Sequence, residues 1–288
     1  MLEPELVRRL ERYRLGGKDT ATSLRRGPHA SRRTGRGMVF ADYRDYREGD
    51  DLQTVDWRAL ARLDRLVVRL ALEERERPLY LLVDASASMR FGSPSKWQAA
   101  SRCAAALAHV ALADLDRVTL FASRSGLREF GPLRGRQLTH EVIAFLAAIS
   151  PDGPTDLAAA LRAVLSRPRG TGLFVLISDF LDPAGAEPAL GLLAGRGHDV
   201  VVMHVLSGAD RDVPDAGELT LVDAESGETF AQSLSPAVAA AYREAFDAFA
   251  GDVEAACARQ GCRHLRVDAD DAQADAWLRD LVRLRVLV

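Results

Sequence analysis

The chain has 288 residues, enough for one large or two modest domains at roughly 150 residues each. Its 48% apolar and 27% charged residues are an ordinary globular composition. Basic and acidic residues nearly balance, 38 against 41 for a net charge of −3, which argues against a protein that coats nucleic acid. No apolar run approaches the ~18 residues that cross a bilayer, and the acidic start Met1-Leu2-Glu3-Pro4-Glu5 lacks a signal-peptide layout. Cys103, Cys257 and Cys262 show no metal-type pairing, so a soluble, reduced, cytoplasmic protein is expected.

Along the chain, residues 1–78 hold 18 basic and 14 acidic residues, leaving 20 against 27 for residues 79–288. A short amphipathic helix is predicted near Pro4 to Tyr13. Residues 20 to 40 contain Arg25, Arg26, Arg32, Arg33 and Arg36, no acid, and many Ser, Thr and Gly, the composition of an irregular arm. Arg65 to Leu72 is β-like. From Leu79 onward, short apolar runs alternate with segments of helical period, the pattern of βαβ units and a mainly parallel sheet. Strands are predicted at Leu79–Val83, Arg117–Ser123, Leu173–Ser178, Asp199–Leu206 and His264–Asp268. Leu138, Val142, Phe145, Leu146 and Ile149 fit one helix face, and Leu157, Leu161, Val164 and Leu165 another. Glu218–Val222 and Glu228–Phe230 bracket a peripheral hairpin. Ser235-Pro236 opens a long helix that stops near Gly261, and Asp271 to Leu284 forms the last. Two units are expected: a small helix-plus-β unit over 1–78 and a three-layer α/β unit over 79–288.

Several enzyme classes lack their residues. Only Lys18 and Lys96 are lysines, followed by Asp19 and Trp97, so no P-loop is present. There is no Gly-x-Ser-x-Gly elbow, and His140-Glu141 has Ala144 where a zincin needs its second His. In an open parallel sheet, ligands gather beyond the carboxyl ends of the strands. Three segments place oxygens there: Asp84-Ala85-Ser86-Ala87-Ser88 after the first strand, Thr155-Asp156 before a helix, and Ser178-Asp179 after the third strand. Two carboxylates (Asp84, Asp179) and three hydroxyls (Ser86, Ser88, Thr155) suit a hard cation such as Mg²⁺, or Mn²⁺ in its place, and leave a position open for an outside carboxylate. Read singly, each has a plainer role: Asp84, Asp179, Ser86 and Ser88 as turn formers, Thr155 as a helix N-cap. His198 and His204 are expected to pack, and Cys257 to be a buried thiol.

The Asp-x-Ser-x-Ser, Thr, Asp order resembles the metal-ion-dependent adhesion site of von Willebrand factor A-type domains, which implies that Asp84, Ser86, Ser88, Thr155 and Asp179 are the metal positions. Upstream, Phe40-Ala41-Asp42-Tyr43-Arg44-Asp45-Tyr46-Arg47-Glu48-Gly49-Asp50-Asp51 and Val55-Asp56-Trp57-Arg58-Ala59-Leu60-Ala61-Arg62 resemble the signature of a bacterial family called domain of unknown function 58. That resemblance implies a non-enzymatic adaptor or chaperone-like partner of a MoxR-type AAA+ ATPase; many members carry N-terminal membrane helices, none is expected here, and a soluble form is therefore implied. Within the signature, Arg44, Asp50, Asp51, Asp56, Trp57 and Arg58 read as an ion-pair network holding the N-terminal unit to the sheet, which must be fully paired if buried, or else as a partner contact. Two alternatives stay open. One is a phosphohydrolase with Asp84 as nucleophile, although such enzymes need Asp-x-Asp where this chain has Ser86. The other is a nucleic-acid adaptor through the arginine arm, which lacks interleaved aromatics for stacking.

Overall fold

A computed structural model describes residues 2–16, 38–47, 55–63, 65–73, 78–167, 169–271 and 275–288, of which 38–44, 63 and 69–73 are described by their backbone alone. The arginine arm, Asp50 and Asp51 lie outside the described residues. The chain divides into two units, Thr22–Glu76 and the combination of Met1–Ala21 with Arg77–Val288.

Helix α1 (Pro4–Leu10) opens the chain. In the smaller unit, β1 (Met38–Asp45) pairs antiparallel with β2 (Val67–Glu73), and α2 (Trp57–Leu63) lies between them in sequence. Arg44 stands opposite Val68 in that ladder.

The larger unit follows in order: β3 (Leu79–Asp84), α3 (Lys96–Ala113), β4 (Val118–Ser123), β5 (Leu127–Leu133), α4 (Thr139–Ala147), α5 (Leu157–Leu165), β6 (Leu173–Ser178), α6 (Ala186–Leu193) and β7 (Asp199–Leu206). Then come the single turn α7 (Gly208–Arg211), the hairpin β8 (Gly217–Val222) and β9 (Thr229–Leu234), α8 (Pro236–Arg259), β10 (Arg263–Asp268) and α9 (Ala276–Arg283). Six strands form one sheet in the order β10-β7-β6-β3-β4-β5, parallel except for the edge strand β5.

Strand periodicity decides the layers. Leu79, Leu81 and Val83 of β3 pack with α1, α3, α4 and α9 on one face. Tyr80 and Leu82 pack with α5, α6 and α8 on the other. Every residue of β3, β4 and β6 is buried, as expected for strands covered on both sides. From β3 the chain runs outward to β4 and β5, then returns to β6 on the opposite flank of β3. That reversal opens the crevice where ligands collect in such sheets, and it brings the ends of β3 and β6 side by side, with Val83 opposite Ile177.

One expected boundary is corrected. Division at residue 78 assigns the first helix to the small unit, whereas Leu6 and Leu10 of α1 are buried in the large unit's core. A charged clasp explains the placement: Arg102 on α3 reaches both Glu3 (3.2 Å) and Asp275 (3.2 Å), and Arg9 of α1 reaches Asp275 at 3.0 Å. Arg102 and Asp275 are nearly inaccessible, so loss of the carboxylate strands a buried charge. Asp275→Ala is therefore expected to destabilise the large unit by about 3 kcal/mol in urea unfolding, and Arg9→Ala, at a half-exposed position, by less than about 1 kcal/mol.

Candidate functional site

The first loop hangs from Asp84 at the end of β3. Its Oδ1 accepts the Ser86 N–H at 2.9 Å and its Oδ2 accepts the Ser178 hydroxyl at 2.6 Å. Ser86 precedes a short 3₁₀ turn, Ala87–Arg90, without using its side chain as a cap. Its hydroxyl is instead 3.0 Å from that of Ser88, and both are buried.

Ser178 joins the second loop to the first, since its Oγ also accepts the Phe180 N–H at 2.9 Å. Phe180 has φ of 57°, a left-handed conformation that costs a bulky residue about 1 kcal/mol or more. Its ring is buried among α5, α6 and α8, which holds the turn in place and leaves Asp179 at the sheet edge. Asp179 Oδ1 accepts the Leu181 N–H at 3.2 Å, and Oδ2 lies 2.8 Å from Lys96 Nζ.

The third loop is tied to the first by two backbone hydrogen bonds, Ala87 N–H to Gly153 O and Asp152 N–H to Ala85 O, each 2.9 Å. Asp156, not Thr155, caps α5, by accepting the Ala159 N–H at 2.7 Å. The Thr155 hydroxyl is thereby released from the helix. It donates to Glu225 Oε1 at 2.5 Å, and the Thr155 N–H donates to the same oxygen at 3.1 Å.

Asp84, Ser86 and Ser88 are thus linked directly, Asp179 reaches them through Ser178, and Thr155 borders them through its loop. Sequence reasoning missed three participants. Lys96 is fully buried and shared between Asp179 and Asp210, at 2.8 and 3.0 Å. Burial alone depresses its pKa, but the two carboxylates outweigh burial and hold it above the ordinary lysine value. The compositional signal was available: Lys96 is one of two lysines among 38 basic residues. Asp210 and Glu225 carried no comparable mark. Burial first, and then the neighbouring charge of Asp179, push the Asp84 carboxyl up to about 7.

Burial and then the neighbouring His264 hold His204 down at about 3. It stays neutral between the rings of Phe180 and Phe249 and donates from Nε2 to the Asp179 carbonyl at 3.2 Å, so it packs and orients rather than ligates. Burial raises the thiols of Cys103 and Cys257, the latter to about 12. In the smaller unit, Asp56 Oδ1 accepts the Arg58 and Ala59 N–H groups at 3.0 and 3.2 Å, starting α2. Trp57 is 57% exposed and Arg58 is exposed too; of the other members of the expected ion-pair network, Asp50, Asp51 and the Arg44 side chain lie outside the described residues.

Among the described residues, no three His, Cys, Asp or Glu side chains are gathered to hold a metal ion. The oxygen set at the sheet edge is of another kind, one buried carboxylate with three hydroxyls. It meets the donor chemistry of a hard cation: the hydroxyl oxygens keep lone pairs, and each Asp84 oxygen, accepting one hydrogen bond, keeps one as well.

The layers, the strand order with its single antiparallel edge, and the oxygen-bearing loops at the reversal point define a von Willebrand factor A-type α/β unit. The chain belongs to the family described as Protein of unknown function DUF58, which matches residues 42–256. An uncharacterized protein of Mycobacterium tuberculosis is 32% identical over 292 residues, covering 98% of this chain and 89% of that one. Among solved structures, BatB from Bacteroides thetaiotaomicron is similar at 17% identity and a TM-score of 0.46, over 72% of this chain and 98% of that one. A von Willebrand factor type A protein from Catenulispora acidiphila is similar at 18% identity and a TM-score of 0.38, over 49% and 36%. Among the described residues no helix is long and apolar enough to cross a membrane.

The Asp84 shift fixes a pH dependence. Its folded pKa of about 7 exceeds the ordinary 3.8, so between these values the folded state holds a proton that the unfolded state has released. Stability from this group is full at the acid end of the window and falls as pH rises toward 7. His204, with its depressed pKa, acts in the opposite sense, so the comparison is with Asp84→Asn. In chelator-treated protein, the stability of wild type relative to Asp84→Asn is expected to drop by about 2–3 kcal/mol between pH 5 and pH 8 in urea unfolding. An unchanged difference contradicts the shift.

Proposed function

We propose that this protein is a non-enzymatic, divalent-metal-dependent protein-interaction module. Asp84, Ser86, Ser88 and Thr155 hold Mg²⁺ or Mn²⁺, and Asp179 positions the site rather than ligating directly, since its charge is already compensated by Lys96 at 2.8 Å. The observation that carries the reading is the buried Asp84 bonded to the Ser86 amide, with the Ser86 and Ser88 hydroxyls 3.0 Å apart beside it and the loop before Thr155 tied to theirs by two backbone bonds. A bound cation supplies an open position that takes a carboxylate. The chain's own groups fix that position, because backbone bonds lock the first and third loops together and Ser178 locks the second to Asp84.

The partner is then a protein that presents Asp or Glu. Family resemblance points to complexes with a MoxR-type AAA+ ATPase in the cytoplasm. The phosphohydrolase alternative also needs a lysine on the phosphate, and Lys96 is fully buried and paired with two carboxylates. The nucleic-acid alternative rests on the arm, which lies outside the described residues.

Calorimetric titration with Mn²⁺ and with Mg²⁺ tests the reading. Wild type is expected to bind one ion per chain, and Asp84→Ala at least about tenfold more weakly, a loss of 1.4 kcal/mol or more. Retention of a MoxR-type ATPase on the immobilised protein is expected in Mg²⁺ and lost in chelator. If wild type and variant take up no ion, Lys96 is the site's resident cation and the metal reading fails.

A further inference from the structure

The hairpin β8–β9 has the wrong surface for a structural ornament. Leu221, Val222 and Phe230 are 47%, 64% and 53% exposed, and most of both strands is open to solvent. Its partly shielded residues include a carboxylate, Glu225, at the tip. A free-standing hairpin normally turns its apolar side chains inward and its acids out. Here the tip reverses that order, and the reason is the pair of hydrogen bonds that Glu225 Oε1 takes from the amide and hydroxyl of Thr155.

The tip is built to present that side chain. Asp223 Oδ1 accepts the N–H groups of Glu225 and Ser226 at 2.9 and 2.7 Å, and Ser226 Oγ accepts the Glu228 N–H at 3.2 Å. Backbone bonds from Asp223 N–H to Glu228 O and from Gly227 N–H to Asp223 O close the turn, with Gly227 at φ of 74°. The turn is therefore stiff, while the strands that carry it are largely exposed. This combination suits a plug that leaves as a unit.

We infer that Glu225 is the molecule's own acidic ligand: it occupies the carboxylate-accepting position at Thr155, and the hairpin closes the site until the Asp or Glu of a protein partner displaces it. The inference rests on the metal-site reading above and deepens it. On this reading a partner carboxylate entering beside Thr155 meets the N–H that Glu225 now takes at 3.1 Å, so the two compete. Apparent partner affinity is then the intrinsic affinity scaled down by the fraction of molecules with the hairpin open.

The test uses the full chain as wild type, Glu225→Gln and Glu225→Ala, with Mn²⁺ and glutarate as probes. Hydrogen exchange without metal comes first: the Thr155 amide is expected to exchange at least about tenfold faster in Glu225→Ala, with Glu225→Gln between, since its amide oxygen still accepts. Next, water-proton relaxation by bound Mn²⁺ is expected to rise in Glu225→Ala as water replaces the carboxylate. Glutarate is expected to bind the Mn²⁺-loaded variant at least about tenfold more tightly than wild type.

Equal relaxation and equal glutarate affinity, with Mn²⁺ bound by both proteins, overturn the closure and leave the metal reading intact. Absence of Mn²⁺ uptake by all three proteins overturns the metal reading; faster exchange in that case reduces the Glu225 contact to a structural tie and overturns the closure as well.

Discussion

One ammonium group, enclosed in protein and shared between two carboxylates, sets the electrostatics of this molecule's sheet edge. Lys96 lies between Asp179 and Asp210 with none of the three in free contact with water. Burying such a set is costly and is tolerated only when the geometry is good and the remaining hydrogen bonds are made. The structure meets that condition: Asp210 Oδ2 takes the Ser207 N–H at 2.9 Å, and Asp179 Oδ1 takes the Leu181 N–H. Asp84, at the end of the neighbouring strand, feels this set through Asp179: its pKa is raised first by burial and then by the Asp179 charge.

The position of Lys96 breaks a local rule. It is the first residue of α3, following the Ser95 cap, and a cation at a helix N-terminus opposes the helix dipole. The capping box between Ser95 and Gln98, with bonds of 3.3 and 3.1 Å, compensates in part. The greater compensation comes from Asp179, at the end of β6, and Asp210, just beyond β7. A lysine placed against local preference and held by two long-range carboxylates is the kind of inconsistency that collects at functional sites.

Much of the architecture was legible because it rests on short-range periodicity. The runs at β3, β6 and β7 are apolar over strand length, and Ser235-Pro236 and Gly261 mark the two ends of α8. Three features were not legible, each for a physical reason. Helix α3 is buried along nearly its whole length and rich in alanine, so it shows no single apolar stripe. Edge strand β5 contains Gly131-Pro132 and is largely exposed, so alternation is weak. Helix α1 was visible as a helix, but the unit it joins is decided by Asp275, at the far end of the chain. At the site, Asp-x-Ser-x-Ser could be read directly, whereas the choice between Thr155 and Asp156 as the α5 cap could not: both types cap helices well, and only the chain path shows that Asp156 takes the role and frees the Thr155 hydroxyl.

That small choice has a large consequence for what the site can exchange. The donors from β3, β6 and the loop before α5 are fastened to one another by bonds of 2.6 to 2.9 Å, side chain to side chain between Asp84 and Ser178 and main chain to main chain between the first and third loops. They form a rigid frame because each would lose a buried partner on moving. Glu225 is held differently. Its two bonds come from one residue, and the strands behind it leave most of their surface to water. Replacing it with another carboxylate conserves the bond types at Thr155, so exchange asks little of the frame. A fixed set of oxygens and one exchangeable acid is the division of labour that recognition of an acidic partner requires, and here both parts are supplied by a single chain.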